Sequence, residues 1–115
     1  MVKRNGSYPA DLLENMRGGE GSLKIEHLLT REELYEKGRL YALITVDPGS
    51  SIGFHVHEGE MESYYIISGE GEYLDHDETV VVQPGDITFT GSGQGHALKN
   101  TGGAPLKLIA QILYK

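Results

Sequence analysis

The 115-residue chain has no cysteine, so it can form no disulfide and offers no thiolate to a metal. It has no tryptophan and only two phenylalanines, which leaves tyrosine, at seven residues, to supply most of the aromatic surface. Basic residues are scarce: 10 Lys and Arg stand against 17 Asp and Glu, for a net charge of -7. That balance argues against a nucleic-acid partner, which needs a basic footprint to displace counterions. Long apolar runs are missing too. Nothing approaches the ~18 consecutive apolar residues of a membrane span. Met1-Val2-Lys3-Arg4-Asn5-Gly6 contains no apolar segment of signal-peptide type. The expectation is a cytoplasmic protein that engages neither nucleic acid nor membrane.

Apolar residues make up 38% of the chain and glycine contributes 16 positions, a profile of short strands and tight turns. This length holds one core, so a single domain over residues 1–115 is expected, with 1–21 an extension and 22–115 the β body. In the extension, Pro9 to Arg17 can form two helical turns, with Pro9 at the first position and Gly18 past the end. Ser22 to Leu29 alternates Leu23, Ile25 and His27 against Lys24 and Glu26, the pattern of a half-buried strand. Thr30-Arg31-Glu32-Glu33 has the form of a capping box and predicts a short helix ending near Gly38. From Arg39 onward the pattern is β, broken by turn signals such as Asp47-Pro48-Gly49 and Pro84-Gly85-Asp86. Strands recurring about every 8 to 12 residues predict an all-β sandwich or small barrel.

One stretch resists explanation by packing. His55 and His57, two apart on a strand, project from the same side roughly 6 to 7 Å apart along the backbone. Alone, such a pair is ordinarily an accident of surface composition. Glu62 follows beyond a short polar loop, and His96 follows the glycine-rich Gly91-Ser92-Gly93-Gln94-Gly95. Three imidazoles and a carboxylate form a mixed nitrogen and oxygen set of intermediate hardness, suited to Mn, Fe, Co, Ni or Zn. His27 and His76 have no such company, and a solvated loop accounts for Glu58 and Glu60.

The same residues carry a family resemblance. Gly49-x5-His55-x-His57-x4-Glu62-x6-Gly69 resembles the first cupin motif with every position filled. Gly85-x5-Gly91-x-Gly93-x2-His96-x3-Asn100 resembles the second, with Gly91 where the family usually has proline. The resemblance implies a double-stranded β-helix, the cupin jelly-roll barrel, here preceded by one or two short N-terminal helices. It is to small single-domain, oxalate-decarboxylase-like cupins, and implies a divalent metal, Mn or Fe foremost, binding a small carboxylate, keto acid or similar oxygenated ligand. A lyase, isomerase or dioxygenase is one expectation, a sugar- or acid-binding module without turnover the other. Oxalate decarboxylases would carry arginine or asparagine three residues before the first motif histidine; this chain has Ile52. Weak or absent oxalate decarboxylation is therefore expected. The resemblance also implies a homodimer, with Leu23 to Leu29 pairing to a partner's sheet.

Strand parity then nominates cavity residues. With Glu62 inward, Tyr64 and Ile66 share its face, and Tyr64 becomes the candidate proton-transfer and substrate-lining residue. Tyr41 and Gln111, each a polar atom in an apolar strand, are weaker lining candidates. Arg39 is a candidate for meeting an anion or for a surface role.

Overall fold

The computed structural model describes residues 1–115. Ten strands form it: β1 (Ala10–Glu14), β2 (Ser22–His27), β3 (Gly38–Val46), β4 (Ser51–Val56), β5 (Glu60–Ser68), β6 (Gly71–Asp75), β7 (Glu78–Val82), β8 (Ile87–Thr90), β9 (Gly95–Asn100) and β10 (Leu106–Tyr114). Two antiparallel sheets face each other, one ordered β1-β2-β3-β10-β5-β8 and the other β4-β9-β6-β7. This is the all-β, two-sheet architecture the spacing of turn signals predicts, and the jelly roll the cupin resemblance implies. No helix is long and apolar enough to cross a membrane.

Alternation builds the core. Along β3, Ala42, Ile44 and Val46 turn inward, and along β10 Leu106, Leu108 and Ala110 do the same. They meet Ile52, Tyr73 and Leu98 of the smaller sheet across the interior. Asn100 ties the barrel's turns together: its Nδ2 donates to the carbonyls of Val46 and Ala104, both at 2.9 Å, and its Oδ1 accepts from Gly102 N–H. Its place in the second motif is thus explained by backbone satisfaction.

Two expectations fail near the N-terminus. The predicted helix over Pro9–Arg17 is instead β1, paired with β2 from Ala10↔Glu26 to Glu14↔Ser22 and followed by a three-residue turn, Met16–Gly18. A helix would have satisfied its own hydrogen bonds but left the outer edge of β2 unpaired, and the strand satisfies both. Beyond Leu29, the capping box does form, with Glu33 N–H donating to Thr30 Oγ1 at 3.1 Å and Thr30 N–H to Glu33 Oε1 at 2.9 Å. One helical turn follows and stops, because Tyr35 and Glu36 adopt φ of 52° and 57°. So short a segment cannot recover the cost of helix nucleation without an apolar face to bury, and Tyr35 is 83% exposed. β2 lies between β1 and β3 within one chain, so it offers no free edge to a partner.

Candidate metal centre

The cluster sits between the sheets at one end of the barrel. His55 lies on β4 and stands directly opposite His96 on β9. His57 follows the end of β4, and Glu62 comes from β5 in the other sheet. A bulge makes this possible. Ile52 pairs with Leu98 and His55 with His96, so two residues, Gly53 and Phe54, oppose Ala97 alone. The extra residue flips the parity, which lets both Ile52 and His55 face inward while Phe54 turns out. Gly53 is required by close approach, since a Cβ there would lie 2.1 Å from the Arg17 carbonyl oxygen, and a Cβ at Gly95 would force the Phe54 ring to shift.

The four side chains converge. His57 Nε2 is 2.9 Å from Glu62 Oε1 and 3.1 Å from His96 Nε2. His96 Nε2 is 2.9 Å from the same carboxylate oxygen and 3.1 Å from His55 Nε2. One ligand atom from each residue fits within a 4.8 Å span. His57, Glu62 and His96 are buried, at 2%, 4% and 0% exposure.

Each imidazole is oriented through its other nitrogen. His55 Nδ1–H donates to the Gly53 carbonyl at 2.8 Å. His57 Nδ1–H donates to Glu60 Oε2 at 2.6 Å, and Glu60 in turn accepts two bonds from Arg39, both 2.8 Å. His96 Nδ1 lies 2.8 Å from the Tyr73 hydroxyl and 2.9 Å from Thr90 Oγ1. The carbonyl and carboxylate acceptors fix Nδ1–H on His55 and His57, while the two hydroxyls beside His96 Nδ1 can accept from it or donate to it. With the proton on Nδ1 of each ring, all three Nε2 lone pairs point at one place, next to a carboxylate. Lone pairs 3.1 Å apart repel unless a proton or cation lies between them, so the donor set fits a divalent transition metal.

The electrostatics agree. Burial alone would push the Glu62 carboxyl up, but where protons take the place of a cation on the Nε2 atoms, hydrogen bonds from His55, His57 and His96 hold it well below the usual carboxylate range. Glu60 is held down at about 2 by its Arg39 and His57 partners, Arg39 foremost. Hydrogen bonding to Glu62 raises His57, whereas burial lowers His96. Tyr64 stacks on His96, rings 5.0 Å apart and 20° from parallel. Burial and the nearby Glu62 charge push its phenol well up, so Tyr64 keeps its proton at neutral pH and serves poorly as a base.

A cavity of about 130 Å³ adjoins the cluster, with His55, His57, Glu62, Tyr64, Arg17 and Arg39 among its lining residues. Larger depressions of about 330 and 500 Å³ lie elsewhere on the surface and touch none of the four converging side chains. Tyr41 and Gln111 do not reach this space. They are register partners on β3 and β10 whose inward neighbours are Ala42 and Ala110, so both face the outer side of the sheet. Glu60, expected as a solvated loop residue, is a buried member of the network. It shares the parity of Glu62, and that signal was readable once β5 is extended back to Glu60. Arg39 fills a bulge opposite the Ile112–Leu113 step, which turns it toward Glu60. Tyr73 and Thr90 carried no sequence signal beyond their inward parity.

Residues 42–112 match the cupin domain family. This chain belongs to the cupin family. This cupin is 43% identical to the oxalate-binding protein of Thermotoga maritima over 98% of its own length and 93% of that protein's. It is 34% identical to the oxalate decarboxylase of Bacillus subtilis over 90% of its length, but spans only 32% of that enzyme. Among solved structures, a predicted oxalate decarboxylase from Thermotoga maritima superposes over the whole of both chains, with a TM-score of 0.97 and 43% identity.

Proposed function

We propose that this cupin binds a small carboxylate, oxalate being the first probe, at a divalent ion held by His55, His57, Glu62 and His96. The carrying observation is the convergence of three oriented Nε2 atoms and one carboxylate oxygen within 4.8 Å, beside a cavity of about 130 Å³. Such an ion would supply a Lewis-acidic anchor for carboxylate oxygens. The expectation is Mn or Fe, with Ni, Co and Zn compatible with the donors.

The protein's own residues do the rest. The carbonyl of Gly53, the Glu60–Arg39 pair and the Tyr73–Thr90 pair fix the three rings before any ligand arrives. Ile52, Leu40 and Ile112 make part of the cavity wall apolar. The cavity of about 130 Å³ is small, which suits a diacid of a few heavy atoms. The oxalate-binding relative supports the same ligand class.

A catalytic reading is favoured by the likeness to the decarboxylase, but the cavity lacks a suitable acid or base. Tyr64 is held protonated, Glu60 is tied to Arg39, and Ile52 occupies the position where a polar contact is expected. We therefore propose binding without oxalate decarboxylation. Calorimetric titration of metal-loaded protein with oxalate should show saturable binding, absent with glucose and with no CO2 release. Rapid CO2 production would defeat the non-catalytic part. Failure to bind any small carboxylate would defeat the whole reading.

A further inference from the structure

Arg17 is the charged residue at the cavity whose charge has no partner. It lines the space with His55, His57 and Glu62, yet forms no salt bridge or side-chain hydrogen bond. The other guanidinium there, Arg39, is taken up by Glu60 at two 2.8 Å contacts. Apart from Arg39, the cluster residues and Tyr64, the lining is apolar, so Arg17 is the guanidinium left for an anion entering beside the cluster.

The backbone that places Arg17 is costly. Arg17 adopts φ of 55°, a left-handed region unfavourable for a residue with a long side chain, beside Asn15 at 53°, a residue type that tolerates it. The turn is nevertheless held. Gly18 N–H donates to Asn15 O at 3.0 Å, Gly19 N–H to Met16 O at 2.9 Å, and Asn15 Nδ2 to Gly19 O at 3.1 Å. It is also fastened to β4, where Ser51 N–H donates to Glu20 O at 2.8 Å and Glu20 N–H to Ser51 Oγ at 2.9 Å. Gly53, two residues before His55, lets the Arg17 carbonyl sit where a Cβ would be. A segment outside the two sequence motifs is thus locked against a strand that carries the cluster.

We propose that Arg17 is the specificity-determining residue of this cavity, its guanidinium receiving one carboxylate of a small dicarboxylate or keto acid whose other oxygens meet the His55–His57–Glu62–His96 cluster. The inference rests on the carboxylate-binding reading and adds the charge of the preferred ligand: a dianion over its monoanionic analogue. A planar guanidinium offers two parallel N–H donors to a carboxylate, which a point charge does not match.

The test uses the full chain, metal-loaded, as wild type, Arg17→Ala and Arg17→Lys. Metal content is measured by elemental analysis, and binding of oxalate and of its monoamide, oxamate, by calorimetry. Metal content should be unchanged in all three proteins. Arg17→Ala should weaken oxalate by about ten- to a hundredfold and oxamate much less, collapsing the preference, with Arg17→Lys recovering part of it. Equal weakening of both ligands without rescue by lysine would mean that Arg17 only holds the turn, and would overturn the proposal. So would Arg17→Ala binding oxalate as tightly as wild type. Wild type that binds neither ligand would instead sink the carboxylate reading, and the assignment of Arg17 with it.

Discussion

Removing the Glu60 carboxylate should loosen the metal without touching any of the four converging atoms. His57 Nδ1–H donates to Glu60 Oε2 at 2.6 Å in a site where His57 is 2% exposed, so water cannot replace the acceptor freely. A charge-assisted bond of this kind contributes ~1.5–3 kcal/mol. Part of that would be recovered as the ring relaxes, and changes to such orienting partners typically cost about 10–100-fold in metal affinity. Glu60→Gln keeps the shape and a neutral acceptor, and should lie near the tenfold end, about 1.4 kcal/mol. Glu60→Ala also strands the Arg39 guanidinium and should approach the hundredfold end. The assay is competition against a chelator of known affinity at neutral pH, with circular dichroism to show that both variants are folded. Affinity within twofold of wild type for Glu60→Ala would refute the argument that this carboxylate sets the basicity and tautomer of His57.

Three more expectations follow from the same geometry. Tyr73→Phe alone should weaken metal binding by less than tenfold, because Thr90 Oγ1 remains 2.9 Å from His96 Nδ1, while Tyr73→Phe with Thr90→Val should exceed it; chelator competition reads both, and equal losses would contradict the shared-acceptor geometry. Glu60 titrates at about 2 in the fold against 4.5 ordinarily, so its stabilisation is complete above the ordinary value and is lost as pH falls through 4.5 toward 2. Metal-free protein should therefore lose melting temperature over that window, and Arg39→Met should flatten part of the loss; an unchanged acid profile would contradict it. The outer face of β5 and β8 exposes Tyr65, Ile67, Ile87 and Phe89, an apolar patch that a second copy would cover in the expected homodimer. Ile87→Lys should shift light-scattering mass from dimer to monomer, and a monomeric wild type at micromolar concentration would remove that expectation.

The four converging residues were legible because ligand chemistry and strand period coincide in them. His55 and His57 share a face by parity, and Glu62 and His96 each fall within a recognisable motif. Tyr64 was placed on the correct face by the same rule. Tyr41 and Gln111 were misplaced because their polarity was weighed above their parity with Ala42 and Ala110. The bulges in β4 and β3, which bring Ile52 inward and turn Arg39 toward Glu60, are set by register with partner strands and leave little local trace. The N-terminal hairpin illustrates tertiary context overriding local propensity. Leu12, Leu13 and Met16 are compatible with a helix face, yet the open edge of β2 selects a strand. Arg17 could not have been assigned to the cavity without the turn that docks on Gly53.

His55, His57, Glu62 and His96 are expected to hold one divalent transition-metal ion. Elemental analysis combined with anomalous scattering, on protein purified without chelators, tests it most directly. The expected result is one ion per chain between these four side chains, lost in His57→Ala and His96→Ala variants that remain folded. Protein that takes up no ion at neutral pH, with Mn, Fe, Co, Ni and Zn each supplied in excess, would contradict it.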